Sequence, residues 1–331
     1  MSTEPKTNAV LVTGGAGYIG AHACKALANA GYEPVVFDNL SQGHVDAVRW
    51  GPLEQGDILN RERLDQVFKK HRPEAVMHFA ASAYVFESIV EPAHYWRNNV
   101  TGTLTLLEVM QAKGVDKIVF SSSCAVFGNT FAQPASETTP MLPVSPYGRT
   151  KLVVEHALVD CYFAFALNSV SLRYFNAAGA DASGEIGESH HPETHLIPRV
   201  LNSALDPYQP VTVYGTDYPT PDGTCIRDFI HVSDLADAHI RALEYLQENP
   251  GEHRFNLGNG NGFSVLQIIE SVAAVTGRQP NVEFGPRRGG DPAALIADSS
   301  AARTFLSWTP CYPDILNMVD SAWKWRNRRG D

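Results

Sequence analysis

Tyr147 and Lys151, four residues apart in the run SPYGRTK, could do acid–base chemistry. On a helix, positions i and i+4 share one face. An ammonium beside a phenol favours the phenolate and lowers its pKa towards neutrality. Ser145 reads as an N-cap and Pro146 as the first helical residue. Tyr147 then falls in the first turn, where the positive end of the helix dipole favours a phenolate too. The combination predicts a tyrosine able to take a proton near pH 7. By itself, Y-x-x-x-K is common, and spacing alone favours a structural pair. Its company changes the reading. FSSSC ends a strand read over Lys117–Ser121, so Ser121, Ser122 and Ser123 stand at its C-terminal end. That is the edge at which doubly wound sheets bind ligands, and a serine there can hydrogen-bond a reacting hydroxyl.

A second group could hold a dinucleotide. AVLVTGGAGYIG leads a strand into a turn, with Gly14, Gly17 and Gly20 spaced as G-x-x-G-x-x-G. Such glycines let the backbone approach a pyrophosphate, and the helix that follows offers its N–H groups to the anion. Asp38 ends the next strand, 18 residues beyond Gly20. A carboxylate there binds the adenosine ribose hydroxyls and repels a 2′-phosphate, which predicts NAD rather than NADP.

These residues need elements to hold them. Ala9–Thr13, Pro34–Asp38, Ala75–Phe79, Lys117–Ser121 and Val170–Tyr174 read as strands. They alternate with helices read over Tyr18–Ala30, Arg61–His71, Ala93–Lys113 and Tyr147–Leu167. The expected fold class is α/β, a doubly wound parallel (Rossmann) sheet with a smaller mixed α/β lobe. Beyond Asn176 the alternation loosens. Residues 179–194 read as a loop over a site, followed by helices near Ile197–Leu205, Ser233–Gln247 and Ser264–Val275 and strands near Val211–Tyr214 and Val282–Phe284.

Bulk properties narrow the function. At 331 residues with 44% hydrophobic and 19% charged content, a packed core is expected rather than disorder. A net charge of −10 speaks against a nucleic-acid partner but not against an anionic small substrate. Five cysteines without a C-x-x-C pair predict neither a disulfide framework nor structural zinc. A polar start over residues 1–8 and no apolar run of about 20 residues predict no membrane span. The expected location is cytoplasmic.

With these residues in place, the chain resembles the extended short-chain dehydrogenases/reductases and, within them, the UDP-glucose 4-epimerases. The resemblance runs through VTGGAGYIG, FDNLSQGH, GDI, HFAA, NNVTGT, FSSSCAVFG, SPYGRTK, LRYFNAAGA, HLIP, YGTDYPTPDGTCIRDFIHVSDLADAH, FNLGNG and PRRGGD. It implies that Tyr147 is the base, Lys151 its partner and ribose ligand, and Ser123 the residue that orients the sugar hydroxyl. It places Gly14, Gly17, Tyr18, Ile19 and Gly20 at the pyrophosphate, and Asp38, Asn39, Leu40, Asp57 and Ile58 at the adenosine. Phe79, Ala80, Ala81, Asn98 and Phe175 line the rest of the NAD groove. Asn176, Leu196, Arg227, Arg288 and Asp291 hold a UDP-sugar, with Thr212 and Tyr214 beside the uracil. The implied division is an NAD-binding domain over residues 1–176 and a lobe over 177–331, mainly for the UDP-sugar, with some elements returning to the first domain. The implied reaction oxidises C4 of a UDP-hexose, lets the 4-keto sugar turn, and reduces its other face. A homodimer is implied too, through helices Ala93–Lys113 and Tyr147–Leu167.

Departures from the family pattern leave alternatives. Ala83 stands where some members carry lysine, Phe127 where tyrosine is frequent, and His195 where asparagine is common. Leu295 occupies a size-gating position where a bulky tyrosine tends to exclude N-acetylated sugars, so UDP-N-acetylhexosamines stay open as substrates; UDP-pentoses stay open too, because Ala83-Tyr84-Val85 and GTDY…DGTCIRD do not exclude them. The 4,6-dehydratases of the same fold carry Asp-Glu where Cys124 and Ala125 stand here, which argues against dehydration. A non-catalytic NAD-binding protein is the distant alternative. His190, His191 and His195 match no metal-binding spacing, and no metal is expected.

Overall fold

β1 (Ala9–Thr13) is buried along its whole length, as a parallel strand covered on both faces must be. In the computed structural model, which describes residues 8–129, 134–289 and 291–329, it pairs in parallel with β2 (Glu33–Asp38) and β4 (Ala75–His78). β3 (Leu53–Gln55) joins β2, and β5 (Lys117–Ser123) joins β4, again in parallel. With β6 (Asn168–Tyr174) and β10 (Glu252–Leu257) they form a seven-stranded sheet of order β10-β6-β5-β4-β1-β2-β3. The 3-2-1-4-5-6 run in that order reverses between β1 and β4, the switch point at which such sheets bind dinucleotides.

Helices α1 (Tyr18–Asn29), α2 (Arg61–His71), α3 (Val85–Val90), α4 (Pro92–Tyr95), α5 (Gly102–Lys113) and α6 (Pro146–Phe165) connect these strands. Leu11, Phe37, Phe68, Leu106, Met110, Phe120 and Leu158 form the core packed among them. Contacts divide the chain into two compact units. The first takes residues up to Val126, Ser145–Arg173 and Ala236–Phe255; the second takes Phe127–Val144, Tyr174–Leu235 and Asn256 onwards.

In the second unit β7 (Asn176–Ala178) and β13 (Ala294–Leu295) run parallel to β9 (Ile226–His231), and β11 (Gly262–Ser264) runs antiparallel to it. β8 (Val211–Tyr214) and β12 (Val282–Gly285) make a separate parallel pair. α7 (Leu196–Leu205), α9 (Val265–Thr276) and α11 (Ile315–Arg329) contribute Leu201, Ile268, Val272 and Met318 to one core with Phe229. α8 (Val232–Glu248) and α10 (Ser300–Phe305) complete the helices among the described residues. Ser264 caps α9 in a reciprocal box with Gln267, which fixes where β11 ends and α9 begins.

The continuous helix expected over Ala93–Lys113 is broken. Trp96–Thr101 takes the wider π turn between α4 and α5. The backbone stays in right-handed helical angles at both ends, at Tyr95 and Gly102. Only the hydrogen-bond partner shifts by one residue, and a pattern of apolar positions cannot register that. Nor does the sequence reading include β3, β7, β10, β11, β13, α3, α10 or the 15-residue α11. The polar residues 1–7 lie outside the described residues. No described helix is long and apolar enough to cross a membrane.

Candidate active site

The glycine turn after β1 is tight enough to exclude side chains. Gly14 has φ +73°, and a Cβ there would stand 2.6 Å from the Ala80 amide nitrogen. A Cβ at Gly20 would collide with the Gly14 carbonyl oxygen. Gly17 is the N-cap of α1 and has no side chain to cap it. The amides of Tyr18, Ile19 and Gly20 therefore form the first turn, at the positive end of the dipole. This is the arrangement that takes a phosphate.

Asp38, buried at the end of β2, accepts from the Ala16 amide at 3.0 Å and the Leu40 amide at 2.8 Å. It thus fixes the glycine turn while keeping lone pairs for two hydroxyls. Asn39 Nδ2 donates to Asp57 Oδ2 at 3.0 Å, and Ile58 beside it is buried. Phe79 and Ala80 both donate their amides to the Thr13 carbonyl, and Ala81 is half-buried behind them. Asn98 reaches only its neighbours, Ser82 Oγ at 3.3 Å and Asn99 Oδ1 at 3.0 Å. The cradle fits a dinucleotide: a turn no Cβ could enter, a helix N-terminus and a ribose-type carboxylate lie within one sheet edge. Phe175 belongs to the second unit, where it is buried and donates its amide to the Leu257 carbonyl.

At the next sheet position, Ser145 Oγ accepts the Gly148 amide at 3.1 Å, with Pro146 opening α6 as the sequence predicted. Ser123 lies beside the Tyr147 side chain and favours its ionised form. Lys151 Nζ donates to the Ser121 carbonyl at 2.7 Å and lies 5.8 Å from the Tyr147 ring centre. The three residues do come together, but the phenol is not acidified. Burial pushes Tyr147 up to about 12, against the pull of Ser123. Burial likewise draws Lys151 down to about 7, while Glu155 holds it up. The simple pairing argument fails because both groups are desolvated, and desolvation disfavours the charged form of each. A further cation beside the phenol is needed to make it a base.

Three residues behind this corner escaped the sequence reading. Glu155, one turn beyond Lys151, accepts from Ser122 Oγ and from Arg173 Nε at 2.9 Å. Glu155 and Arg173 are wholly buried, and Arg254 approaches the same carboxylate at 3.6 Å. The carboxylate ties the middle serine of FSSSC to α6, and so sets its neighbours Ser121 and Ser123 against Lys151 and Tyr147. Asn99, in the π segment, accepts the Ser82 amide and donates to the Ser82 carbonyl and Thr150 Oγ1. His78 bridges Thr13 Oγ1 at 2.6 Å and Thr103 Oγ1 at 2.8 Å, and burial pushes it down to about 3, so it is neutral. The only signal for Glu155 was a carboxylate on an otherwise apolar helix face at i+4 from a lysine.

The second unit gathers the residues read as substrate contacts into two groups. Arg288 stacks over the Tyr214 ring at 3.7 Å. Its hydrogen bond to the phenol, more than that of Thr212, lowers the Tyr214 pKa. Arg227 Nη1 donates to the carbonyls of Ile226 at 2.9 Å and Pro292 at 2.8 Å, and Nη2 lies 3.4 Å from Asp291 Oδ1. The register of β13 on β9 sets the buried Leu295 beside Arg227. Asn176 Nδ2 donates to the Asp228 carbonyl at 2.7 Å, and Leu196 opens α7. Asp228, also missed, is a buried clasp: it accepts the amides of Asn259, Gly260 and Ala297 and so anchors the strand that carries Arg227.

The loop before α7 holds a cluster that the sequence did not foretell. Glu188, His190, Glu193 and His195 each bring one nitrogen or oxygen within 4.8 Å of the others. Burial would lower both imidazoles, but the carboxylates of Glu188 and Glu193 raise His190 to about 9 and His195 to about 10. Burial would raise Glu193, yet the two histidines hold it well below the usual carboxylate range.

Comparison with known proteins agrees with this geometry. The model of the NAD-dependent epimerase/dehydratase family matches residues 10–258. UDP-glucose 4-epimerase of Rhizobium meliloti (strain 1021) is 50% identical over 324 residues, covering 98% of each chain. The crystal structure of UDP-glucose 4-epimerase from Brucella ovis in complex with NAD is 51% identical, with a TM-score of 0.94 over 96% of this chain and 98% of that one. The enzyme of Stenotrophomonas maltophila, with bound NAD and formylated UDP-arabinopyranose, is 41% identical, with a TM-score of 0.93 over 97% of this chain and 98% of that one. A match over most of the chain, a shared fold, and a glycine cradle beside a Ser–Tyr–Lys corner place this chain in the NAD-dependent epimerase/dehydratase family.

Proposed function

We propose that Tyr147, Ser123 and Lys151 carry out the 4-epimerisation of a UDP-hexose, UDP-galactose and UDP-glucose being the pair interconverted. The chain is an NAD-dependent isomerase of this kind by its relatives; the residue roles are our reading. One observation supports them most: Ser123 lies close enough to the buried Tyr147 to pull its proton affinity down, while Lys151 is aimed at the Ser121 carbonyl beside it.

NAD held in this cradle would supply a hydride acceptor for oxidation of C4 and a hydride donor for its reversal on the other face, and in its oxidised form a cationic nicotinamide ring. Gly14, Gly17, Tyr18, Ile19 and Gly20 hold its pyrophosphate. Asp38, Asn39, Leu40, Asp57 and Ile58 hold the adenosine, and Phe79, Ala80, Ala81, Asn98 and Phe175 line the remainder. Ser123 orients the C4 hydroxyl towards the Tyr147 oxygen. Tyr147 accepts the hydroxyl proton and gives it back after the sugar has turned. A cation beside the phenol offsets the burial that otherwise holds its proton. Lys151 binds the ribose and fixes the Ser121 end of β5. Arg227 and Arg288 clamp the diphosphate with planar cationic donors. Thr212 and Tyr214 flank the uracil, and Asn176, Leu196 and Asp291 complete the substrate contacts. A clamp on the diphosphate leaves the sugar free to rotate.

We also assign a homodimer formed through α5 and α6. Phe86, Ile89, Val90, Trp96, Leu104, Val153 and Phe163 on or beside these helices expose apolar surface, Phe163 by 80%. We assign a cytoplasmic location, supported by five free cysteines. Residues 1–176 as the NAD-binding part and 177–331 as mainly the UDP-sugar part remain our functional division.

Proton NMR of UDP-galactose with the purified protein and no added cofactor tests the reading, with Tyr147→Phe as control. UDP-glucose is expected with the wild type and not with the variant. Turnover undiminished in the variant would overturn the role of Tyr147. Repeating with UDP-N-acetylgalactosamine and UDP-xylose tests what Leu295 admits.

A further inference from the structure

The loop between β7 and α7 carries four metal-ligating side chains that the epimerisation does not use. Glu188, His190, Glu193 and His195 come from eight consecutive residues, and one ligand atom of each lies within 4.8 Å of every other. The nearest pairs are His195 Nδ1 to Glu188 Oε1 at 2.6 Å and to Glu193 Oε1 at 3.1 Å, and His190 Nδ1 to Glu188 Oε1 at 3.2 Å and to Glu193 Oε2 at 3.8 Å. For bonds of about 2.0–2.1 Å, the edge of a tetrahedral zinc site is roughly 3.3 Å. These separations bracket that edge, so small rotamer adjustments suffice to close four ligands on one ion.

A second observation distinguishes the cluster from a plain set of ion pairs. The Glu188 side chain is only 7% exposed. Its Oε1 takes a hydrogen bond from no described donor, although two imidazole nitrogens stand within 3.2 Å. Close approach without hydrogen-bond alignment is the geometry of groups directed at a common point. His195 Nδ1 does lie along a hydrogen-bond line to Glu193 Oε1.

We propose that Glu188, His190, Glu193 and His195 form a binding site for one divalent transition-metal ion, zinc by preference. Two imidazoles and two carboxylates favour a borderline cation over calcium or magnesium, which take oxygen ligands. Each imidazole gives up a proton to the solvent as it binds, and the two carboxylates balance the charge of the ion. All four positions are filled by the protein, which marks a structural site rather than a catalytic one. Its product is order in the loop: His195 is the N-cap of α7, and Leu196, the next residue, opens that helix. This inference does not depend on the assignment of the reaction.

The test uses the full chain, free of any histidine tag, stripped with chelator and titrated with Co2+ and then Zn2+. One Co2+ per chain is expected, with the visible bands of tetrahedral cobalt and no thiolate charge-transfer band, which separates this loop from the free cysteines. Zn2+ should displace it and raise Tm. Glu188→Gln should weaken binding at least tenfold, and His190→Asn with His195→Asn should abolish it. Wild-type protein that binds less than a tenth of an equivalent overturns the site, whether or not the variants fold. So does a thiolate band, or stoichiometric binding that survives the double substitution.

Discussion

The corner around Tyr147 and the group around Arg227 are built on opposite principles. Behind Tyr147 the central charges are buried and already matched: Glu155 and Arg173 are wholly enclosed, and Lys151 donates to a carbonyl of β5. Around Arg227 and Arg288 the ion pairing is loose: Arg288 is exposed, and Arg227, 16% exposed and held by two carbonyls, stands 3.4 Å from Asp291, itself 36% exposed. A long, partly solvated pair of this kind contributes little to stability, so little charge pairing is lost when those guanidiniums turn to an anion. A buried pair behaves otherwise, because removing one partner strands the other. The first region spends its polar groups on position, the second on binding.

That contrast can be broken by substitution. The largest effect belongs to Tyr147→Phe, which should lower kcat by about 10²–10⁴ at near-wild-type Tm; a turnover assay with a thermal melt checks both, and an unchanged kcat would remove the base. Glu155→Gln should cost about 3–5 kcal/mol in urea unfolding, since it leaves Arg173 buried without its charge partner. A loss below 1 kcal/mol would mean the corner is no stiffer than the surface. Arg227→Gln should instead leave stability within about 1 kcal/mol. It should weaken UDP binding roughly 10- to 100-fold, the worth of charge-assisted hydrogen bonds, as calorimetry would read. A matched loss of stability would erase the distinction between the regions. The smallest effect is in pH. His78 is held down to about 3, against an ordinary value of about 6.5. Between these values the unfolded chain binds the proton and the folded chain does not. Stability should therefore fall as pH drops through this window, by up to about 1.4 kcal/mol per pH unit. His78→Asn should flatten that slope, and a slope equal to wild type would assign the acid sensitivity elsewhere.

What the sequence disclosed follows the same divide. Gly14, Gly20 and Asp38 were legible because their roles are local: a turn, a helix start and the end of the next strand. Ser145, Pro146, Tyr147 and Lys151 were legible as a helix opening. Glu155, Asn99 and His78 were not, because each acts through partners 17 to 65 residues away. The Tyr147 pKa was misjudged for a related reason. Spacing places a lysine near a phenol, but the desolvation that outweighs it is a property of the folded surroundings. Glu188, His190, Glu193 and His195 are close in sequence yet match no metal-binding spacing, and only the fold of the loop brings them face to face.

The π segment between α4 and α5 has a bearing on length as well as on shape. Six residues, Trp96–Thr101, carry one more residue than an α-helical path would need. Deleting a single residue there would give a regular helix and rotate what precedes it by about 100° relative to α5. Asn99 would then lose its grip on Ser82 and Thr150, although helix content would scarcely change. Along this stretch the chain tolerates substitution more readily than a shift of frame. The extra residue acts as a reading mark that keeps the loop after β4 in phase with α6.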